Sequence, residues 1–154
     1  MQNLYTKQTL KHFHSPHNFG EIKNADAIGE AGNIVCGDVM TLYLKIDKNK
    51  EGEEVIKDIK FKTYGCVAAI ATSSVITDLV KGKTIDEALK INKETIVQTL
   101  NGLPPIKIHC SVLATEALAE AIYQYLLKKK KPIPPDLQKK HEIIQKSKNI
   151  IEER

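Results

Sequence analysis

The segment Leu103–Ser111 reads Leu-Pro-Pro-Ile-Lys-Ile-His-Cys-Ser and runs directly into a long helical pattern. Two adjacent prolines fix φ and donate no backbone hydrogen bond, so we expect the chain before Lys107 to be extended and rigid. The helical pattern over about 111–127 places Cys110 near a helix N-terminus, where unpaired N–H groups and the helix dipole stabilise a thiolate. With His109 alongside, the segment predicts a thiolate, an imidazole and a lysine close together.

Strand and helix patterns precede and follow this segment. Residues 39–46 and 55–63 alternate apolar and polar side chains around a polar turn, which predicts an antiparallel hairpin. The stretch 25–33 reads as a loop with a short edge strand. Helices are predicted over about 3–14, 67–81 (stopped by Gly82), 84–91 (opened by a capping box), 94–100 and 111–127, with a last helix capped by Asp136.

The chain of 154 residues is long enough for one domain with its own core. Basic and acidic residues nearly balance over 1–127, whereas 128–154 carries nine basic and four acidic residues. We therefore expect a domain over 1–127, followed over 128–154 by a basic linker and a C-terminal helix extension. Leu137, Ile144 and Ile151 repeat every seven residues, which favours packing on the chain's own domain or on a second copy.

Composition and charge exclude several classes of function. A nearly neutral body gives no support for nucleic-acid binding. No apolar run is long enough to cross a membrane, and the start of the sequence lacks the layout of a signal peptide, so a cytoplasmic protein is expected.

Three widely spaced cysteines form a poor disulfide framework and a better thiol or metal set. Cys36 precedes the first hairpin strand and Cys66 follows its antiparallel partner, so strand pairing places both at one end of the sheet. If the helix of Cys110 begins at that end, three thiols meet there. Asp38 and His109 would then lie nearby.

Thiolates select zinc, copper(I) or iron–sulfur clusters, while Asp38 and His109 offer harder oxygen and nitrogen ligands. Three thiolates with one replaceable ligand suit a metal or cluster that is built and then released. Spacing alone leaves three alternatives: unliganded core cysteines, a structural zinc site, or a cluster.

Two features of the N-terminal segment have a structural and a functional interpretation. His12, His14 and His17 form a histidine cluster, but no carboxylate accompanies them at helical i, i+4 spacing, so a solvated cluster without a metal is favoured. Tyr5 either packs on its own core or anchors a partner.

Four separated motifs match one known family. They are Cys36–Met40, Phe61–Cys66, Ala69–Ala71 and Leu103–Ser111. On these motifs, the chain over about 3–127 resembles the IscU-type iron–sulfur cluster scaffolds, which include the N-terminal domain of NifU. The resemblance implies an α+β fold, in which a small antiparallel β-sheet packs against helices on one face. It also implies a scaffold and carrier instead of an enzyme.

The resemblance further implies a ligand set and a reaction. Cys36, Cys66 and Cys110 would hold the cluster, with Asp38 or His109 completing the set. A cysteine desulfurase would deliver persulfide sulfur to Cys110. With Fe²⁺ and electrons from a donor such as a ferredoxin, a [2Fe–2S] cluster would form and pass to apo-acceptors. For the isolated protein, an apo form, a Zn²⁺ form and a cluster form all fit this ligand set.

Other parts of the resemblance concern partners. Leu103–Lys107 resembles the segment that an Hsp70-type chaperone grips in this family, and Lys107 is expected to offset part of the site's negative charge. Tyr5 matches a family tyrosine associated with a homodimer. Family members usually have a glycine after the second cysteine, whereas this chain has Val67. A β-branched residue restricts the backbone, so the departure affects the expected mobility of the loop near Cys66.

Two other functions remain open. The chain is also similar to the SufU group, zinc-bound sulfur-transfer partners of a cysteine desulfurase. That group carries an insertion before the last motif and lacks the His109–Cys110 pair. The second open function is a purely structural or interaction module, in which the three cysteines would be dispensable.

Overall fold

The computed structural model describes residues 4–32 and 37–152, with side chains over 4–32 and 37–146. Cys36, the first predicted ligand, lies outside the described residues. The elements in chain order are α1 (Lys7–His14), β1 (Ala27–Gly32), β2 (Val39–Lys48), β3 (Glu54–Tyr64), α2 (Val67–Val80), α3 (Ile85–Leu89), α4 (Lys93–Thr99), a 3₁₀ turn (Pro105–Lys107), α5 (His109–Lys128) and α6 (Pro135–Glu152).

The three strands form one antiparallel sheet in the order β1-β2-β3. Alternation along β2 turns Met40, Leu42 and Leu44 into the core, where all three are fully buried. Ile59 and Phe61 of β3 are buried on the same side. The predicted hairpin, the short edge strand and the α+β fold class are confirmed.

Helices α2 and α5 cover the inner face of the sheet. Five apolar residues of α5 are all buried: Leu113, Ala117, Ala121, Ile122 and Tyr125. In the described residues, none of the helices has the length and apolar content to cross a membrane.

Most helix ends lie where local sequence signals predict them. The starts of α1 and α6 differ from the prediction. The capping box of Thr84 with Glu87 is present, and Gly82 ends α2 with a left-handed φ of 83°. The first helix begins at Lys7, later than predicted, because the Thr6 hydroxyl accepts a hydrogen bond from the Thr9 backbone. Leu4, which falls within the helix predicted over about 3–14, precedes α1 and is exposed.

The C-terminal helix α6 packs on α5. Its Leu137 and Ile144 are buried, whereas Ile143 is exposed; the side chain of Ile151 lies outside the described part. The helix begins at Pro135, so Asp136 lies in its first turn and the predicted cap at Asp136 is wrong.

Polar contacts also join α6 to α5. The buried Glu120 carboxylate contacts the His141 ring at 2.7 Å and accepts a hydrogen bond from Gln145 at 3.1 Å. The His141 ring stacks on Tyr123, with ring centroids 3.7 Å apart. These contacts give the Glu120 carboxylate polar partners, without which its burial would cost free energy.

The edge strand β1 touches α5 backbone to backbone at one residue. A Cβ atom on Gly29 would lie 2.2 Å from the Ala121 nitrogen and 2.4 Å from the Ala117 oxygen. Such contacts exclude any side chain at this position, since neither backbone can move without displacing the core.

We expect Gly29→Ala to lower the free energy of unfolding by about 3 kcal/mol, because the added methyl group overpacks a rigid contact. The measurement is denaturant unfolding followed by circular dichroism. The matched control is Ile28→Ala, the half-exposed neighbour on the other face, for which we expect about 1 kcal/mol or less. Equal losses in the two variants would contradict the close approach.

Candidate metal centre

Three chain segments meet at one end of the sheet. Asp38 directly precedes β2, Cys66 is the residue before α2, and Cys110 is the second residue of α5. Because Val39 pairs with Tyr64 in the antiparallel ladder, the start of β2 and the end of β3 lie side by side. The start of α5 packs against the same end.

Four side chains converge there, and we call Asp38, Cys66, His109 and Cys110 the thiol site. The two Sγ atoms are 3.8 Å apart, and each lies 3.8 Å from Oδ2 of Asp38. Sγ of Cys110 is 3.6 Å from Nε2 of His109. Tetrahedral coordination with metal–sulfur bonds of about 2.3 Å also places two sulfurs about 3.8 Å apart. The two thiols therefore have the spacing of ligands that share one metal.

Burial differs sharply across the thiol site. Cys110 is fully buried and Asp38 is 5% exposed, whereas Cys66 and His109 are half-buried. An apolar wall lies behind the thiols, formed by Ala68, Ala69, Tyr5 and Leu103. A carboxylate and a thiolate lose hydration when they are buried in apolar surroundings. Binding of a cation or metal ion compensates for this loss and is therefore favoured. The site is thus closed behind Cys110 and accessible beside Cys66.

A lysine and a tyrosine complete the electrostatics. The negative charge of Cys66 raises the pKa of Lys107, so this side chain stays protonated beside the thiols at neutral pH. Burial, followed by the charge of Cys66, raises the pKa of Tyr5. Tyr5, which the sequence predicts either to pack on its own core or to anchor a partner, lies against the thiol site.

Gly65 allows the Asp38 carboxylate to approach the turn before α2. A Cβ atom on Gly65 would lie 3.0 Å from Cγ of Asp38 and 2.8 Å from Cβ of Ala69. Gly65 belongs to the motif Phe61–Cys66, and the motif alone predicts no role for it. A glycine next to a cysteine at a strand-to-helix turn is the available signal, because glycine permits close approach of the backbone.

The segment before α5 differs from its predicted shape. Pro104 is extended, with φ −54° and ψ 139°, but Pro105–Lys107 forms a 3₁₀ turn, so the expectation of an extended chain up to Lys107 is wrong. Proline fixes φ near −65°, and this value suits extended chain and 3₁₀ helix alike. The turn leaves Ile106 78% exposed at the surface beside the thiol site.

A second group of metal-ligand residue types lies at the other end of α2. It contains His12, His17 and Asp78, and we call it the histidine–aspartate cluster. His14, the third histidine of the sequence cluster, is exposed and contacts the ring of Phe13 instead. The carboxylate comes from a distant helix, and for that reason local spacing did not reveal it.

Comparison with known proteins assigns the fold and the family. The family described as NifU-like N terminal domain matches residues 4–132. The chain belongs to this family. The resemblance to IscU-type and NifU N-terminal proteins is thereby confirmed.

Several relatives of this NifU-like chain carry names that state a role. The iron-sulfur cluster assembly scaffold protein IscU 1 of Archaeoglobus fulgidus is 50% identical over 125 residues, covering 81% of this chain and 78% of the relative. The iron-sulfur cluster assembly scaffold protein IscU of Aquifex aeolicus is 44% identical over 124 residues, covering 80% of this chain and 77% of the relative.

Solved structures share the fold of this NifU-like chain. A putative iron-sulfur cluster assembly scaffold protein for the SUF system from Fervidobacterium islandicum has a TM-score of 0.61 and 25% identity. The match covers 77% of this chain and 96% of that one. The N-terminal part of a NifU-like protein from Brucella abortus, at 24% identity and a TM-score of 0.63, covers 81% of this chain and 96% of that one, and shows the fold alone.

Proposed function

We propose that this protein is a scaffold on which an iron–sulfur cluster is assembled and from which it passes to apo-proteins. One observation carries the proposal. The sulfurs of Cys66 and Cys110 and a carboxylate oxygen of Asp38 lie 3.8 Å from one another, and the His109 imidazole is 3.6 Å from the Cys110 sulfur, in a chain 50% identical over 125 residues to a named IscU scaffold. Assembly and transfer require ligands that hold iron and sulfide and then release them. No bond of a metabolite needs to be broken, so the role is that of a carrier and not of an enzyme.

The proposed cluster ligands are Cys36, Cys66 and Cys110, with Asp38 or His109 as the fourth. Support for the pair of Cys66 and Cys110 comes from their 3.8 Å separation. Cys36 is two residues from Asp38 in the sequence, and two residues span at most about 7 Å. Since the Asp38 carboxylate contacts both sulfurs, a thiol at position 36 has the reach to join them.

The proposed cargo is a [2Fe–2S] cluster built from Fe²⁺ and desulfurase-derived sulfur. Three thiolates and a carboxylate around such a cluster leave net negative charge, and the Lys107 ammonium offsets part of it. A carboxylate is a harder ligand for iron than a thiolate, so Asp38 supplies the exchangeable position. The same donors also suit Zn²⁺, which we expect in protein isolated without iron.

Sulfur would arrive as persulfide from a cysteine desulfurase. The proposed receiver is Cys110, in the first turn of α5, where the helix dipole favours an anion. Because Cys110 is fully buried, direct attack on a persulfide requires the 3₁₀ turn before it to move. A relay through the half-buried Cys66, 3.8 Å away, is the alternative route.

Other proposed partners follow from position and exposure. An Hsp70-type chaperone would bind Leu103–Lys107, where Ile106 is exposed. A ferredoxin-like donor would supply electrons, apo-proteins would accept the cluster, and Tyr5 would contribute to a homodimer. We place these events in the cytoplasm.

We also propose a division of the chain at residue 127. The family match ends at residue 132, and α6 contacts the preceding part chiefly through α5. Residues 1–127 would then be the scaffold domain, and 128–154 a basic linker and helical extension docked on it.

A zinc-bound sulfur-transfer partner of a desulfurase is the second candidate function. The similarity to the Fervidobacterium protein, which is named as a putative scaffold of the SUF system, favours it. Asp38, His109 and Cys110 also offer a mixed oxygen, nitrogen and sulfur set for zinc, with ligand atoms within 4.8 Å of one another.

Anaerobic reconstitution with Fe²⁺, cysteine, a desulfurase and a reduced ferredoxin-like electron donor tests the proposed function. We expect sulfur-to-iron absorption bands in the visible range, with iron and sulfide bound in equal amounts, and Cys66→Ser should lose them. A sample without desulfurase is the control. Protein that keeps zinc, binds neither iron nor sulfide and still accelerates the desulfurase would support the second candidate instead.

Replacing Asp38 tests the role of the exchangeable ligand. We expect Asp38→Ala to lengthen the lifetime of the assembled cluster several-fold, because the hard ligand no longer opens a route to release. The decay of visible absorption in the presence of an apo-acceptor measures this lifetime. Asp47→Ala, at the exposed far end of β2, is the matched control. Equal lifetimes for wild type and Asp38→Ala would count against the assignment.

Mass spectrometry after incubation with desulfurase and cysteine identifies the sulfur receiver. If Cys110 attacks directly, we expect Cys110→Ser to abolish the persulfide, because it removes the nucleophile at the start of α5. If sulfur is relayed, the persulfide should stop at Cys66 in this variant. Cys66→Ser distinguishes the two routes, since a relay predicts strongly slowed transfer and direct attack predicts an unchanged rate. A persulfide at full yield on Cys36 in Cys110→Ser would overturn the assignment.

A further inference from the structure

The histidine–aspartate cluster joins three parts of the N-terminal half. His12 lies in α1, His17 in the loop that follows it, and Asp78 in the last turn of α2. One ligand atom from each side chain lies within 4.8 Å of the other two. The His12 and His17 rings are 4.9 Å apart, and Nδ1 of His17 is 2.6 Å from Oδ2 of Asp78.

This cluster is separate from the thiol site. Cys66 immediately precedes α2 and Asp78 lies in its last turn, and twelve helical residues correspond to about 18 Å along the axis. The two groups share none of their residues. An ion at one position could not be bound by the side chains of the other.

Hydrogen bonds around the cluster hold the side chains in place. Oγ of Ser74, a buried residue of α2, accepts the backbone N–H of His17 at 2.8 Å and contacts Nδ1 of His12 at 2.7 Å. Nδ2 of Asn18 lies 3.5 Å from Oδ1 of Asp78. When Nδ1 of His12 donates its proton to Ser74, Nε2 presents a lone pair, the arrangement typical of metal-binding histidines.

We propose that His12, His17 and Asp78 form a second metal site, which binds a divalent transition-metal ion such as Zn²⁺ or Fe²⁺. Two imidazoles and one carboxylate are a common three-ligand set for zinc and for non-haem iron(II), with the remaining positions open to water. The inference does not depend on the proposed scaffold function.

The geometry requires only small side-chain movements. Bonds of about 2.0–2.2 Å bring ligand atoms to about 3.5 Å from one another, so the most distant pair must approach by little more than 1 Å. The side chains of His17 and Asp78 are 50% and 42% exposed, which leaves them room to rotate. His12 is held by Ser74 and provides the fixed ligand.

Metal binding would fasten the loop after α1 to α2. That loop also pairs with β3, since Phe61 donates its backbone N–H to the Asn18 carbonyl at 3.0 Å and Gly20 donates to the Phe61 carbonyl at 2.8 Å. An ion at the cluster would therefore connect α1, the sheet edge and α2, and it should raise the melting temperature by mass action.

The test uses the full chain with Cys36, Cys66 and Cys110 changed to serine, which removes the sulfur ligands of the thiol site. Calorimetric titration with Zn²⁺, and separately with Fe²⁺ under anaerobic conditions, should show binding of one ion. Adding His17→Ala or Asp78→Asn should weaken that binding by at least about tenfold. Adding His14→Ala, an exposed histidine of the same segment outside the cluster, should leave it unchanged.

Imidazole NMR of the wild-type chain provides a second measurement that does not depend on the folding of the cysteine variant. During Zn²⁺ titration, the ring signals of His12 and His17 should shift, whereas those of His14 should not. Unshifted His12 and His17 rings would overturn the proposal. So would Zn²⁺ and Fe²⁺ binding that His17→Ala and Asp78→Asn leave unchanged, since the cluster would then be only an ion pair.

Discussion

The antiparallel pairing of β2 with β3 is the constraint on which the chemistry of this protein depends. Because Val39 faces Tyr64 in the ladder, the residue before one strand and the turn after the other lie side by side. Asp38 and Cys66 are therefore brought together by backbone hydrogen bonds and not by any attraction between their side chains. A slip of one residue would turn the buried row of β2 towards solvent, so the core enforces the register that positions the site.

Helix α5 adds the third group at the same place. Its small inward residues Ala117 and Ala121 allow the edge strand to approach at Gly29, where backbone meets backbone. The result is an asymmetric site in which Cys110 is sealed while Cys66 is accessible. A scaffold needs both properties, because a cluster in contact with bulk water is lost and a cluster sealed on all sides is not transferred.

One helix has a different chemical environment at each end. The start of α2 contributes Cys66 to the thiol site, whereas its last turn contributes Asp78 to two histidines from the N-terminal segment. Between them the helix is almost fully buried. Its rigidity separates the two ends by a fixed distance, so ions at the two positions would be bound independently.

Local signals in the sequence determined the strands, the capping box at Thr84 and the placement of Cys66 and Cys110 at helix starts, since each depends on neighbouring residues alone. Hairpin pairing also predicted that Cys66 lies at the sheet end where Asp38 begins the first strand. Tertiary structure decided that the start of α5 lies at that same end, so that Cys110 meets Asp38, 72 residues away in the sequence, and that Asp78 joins the histidines. It also decided the turn at Pro105, because a proline's fixed φ is compatible with more than one backbone shape. Contacts between distant residues arise from packing of the whole chain, which no local pattern encodes.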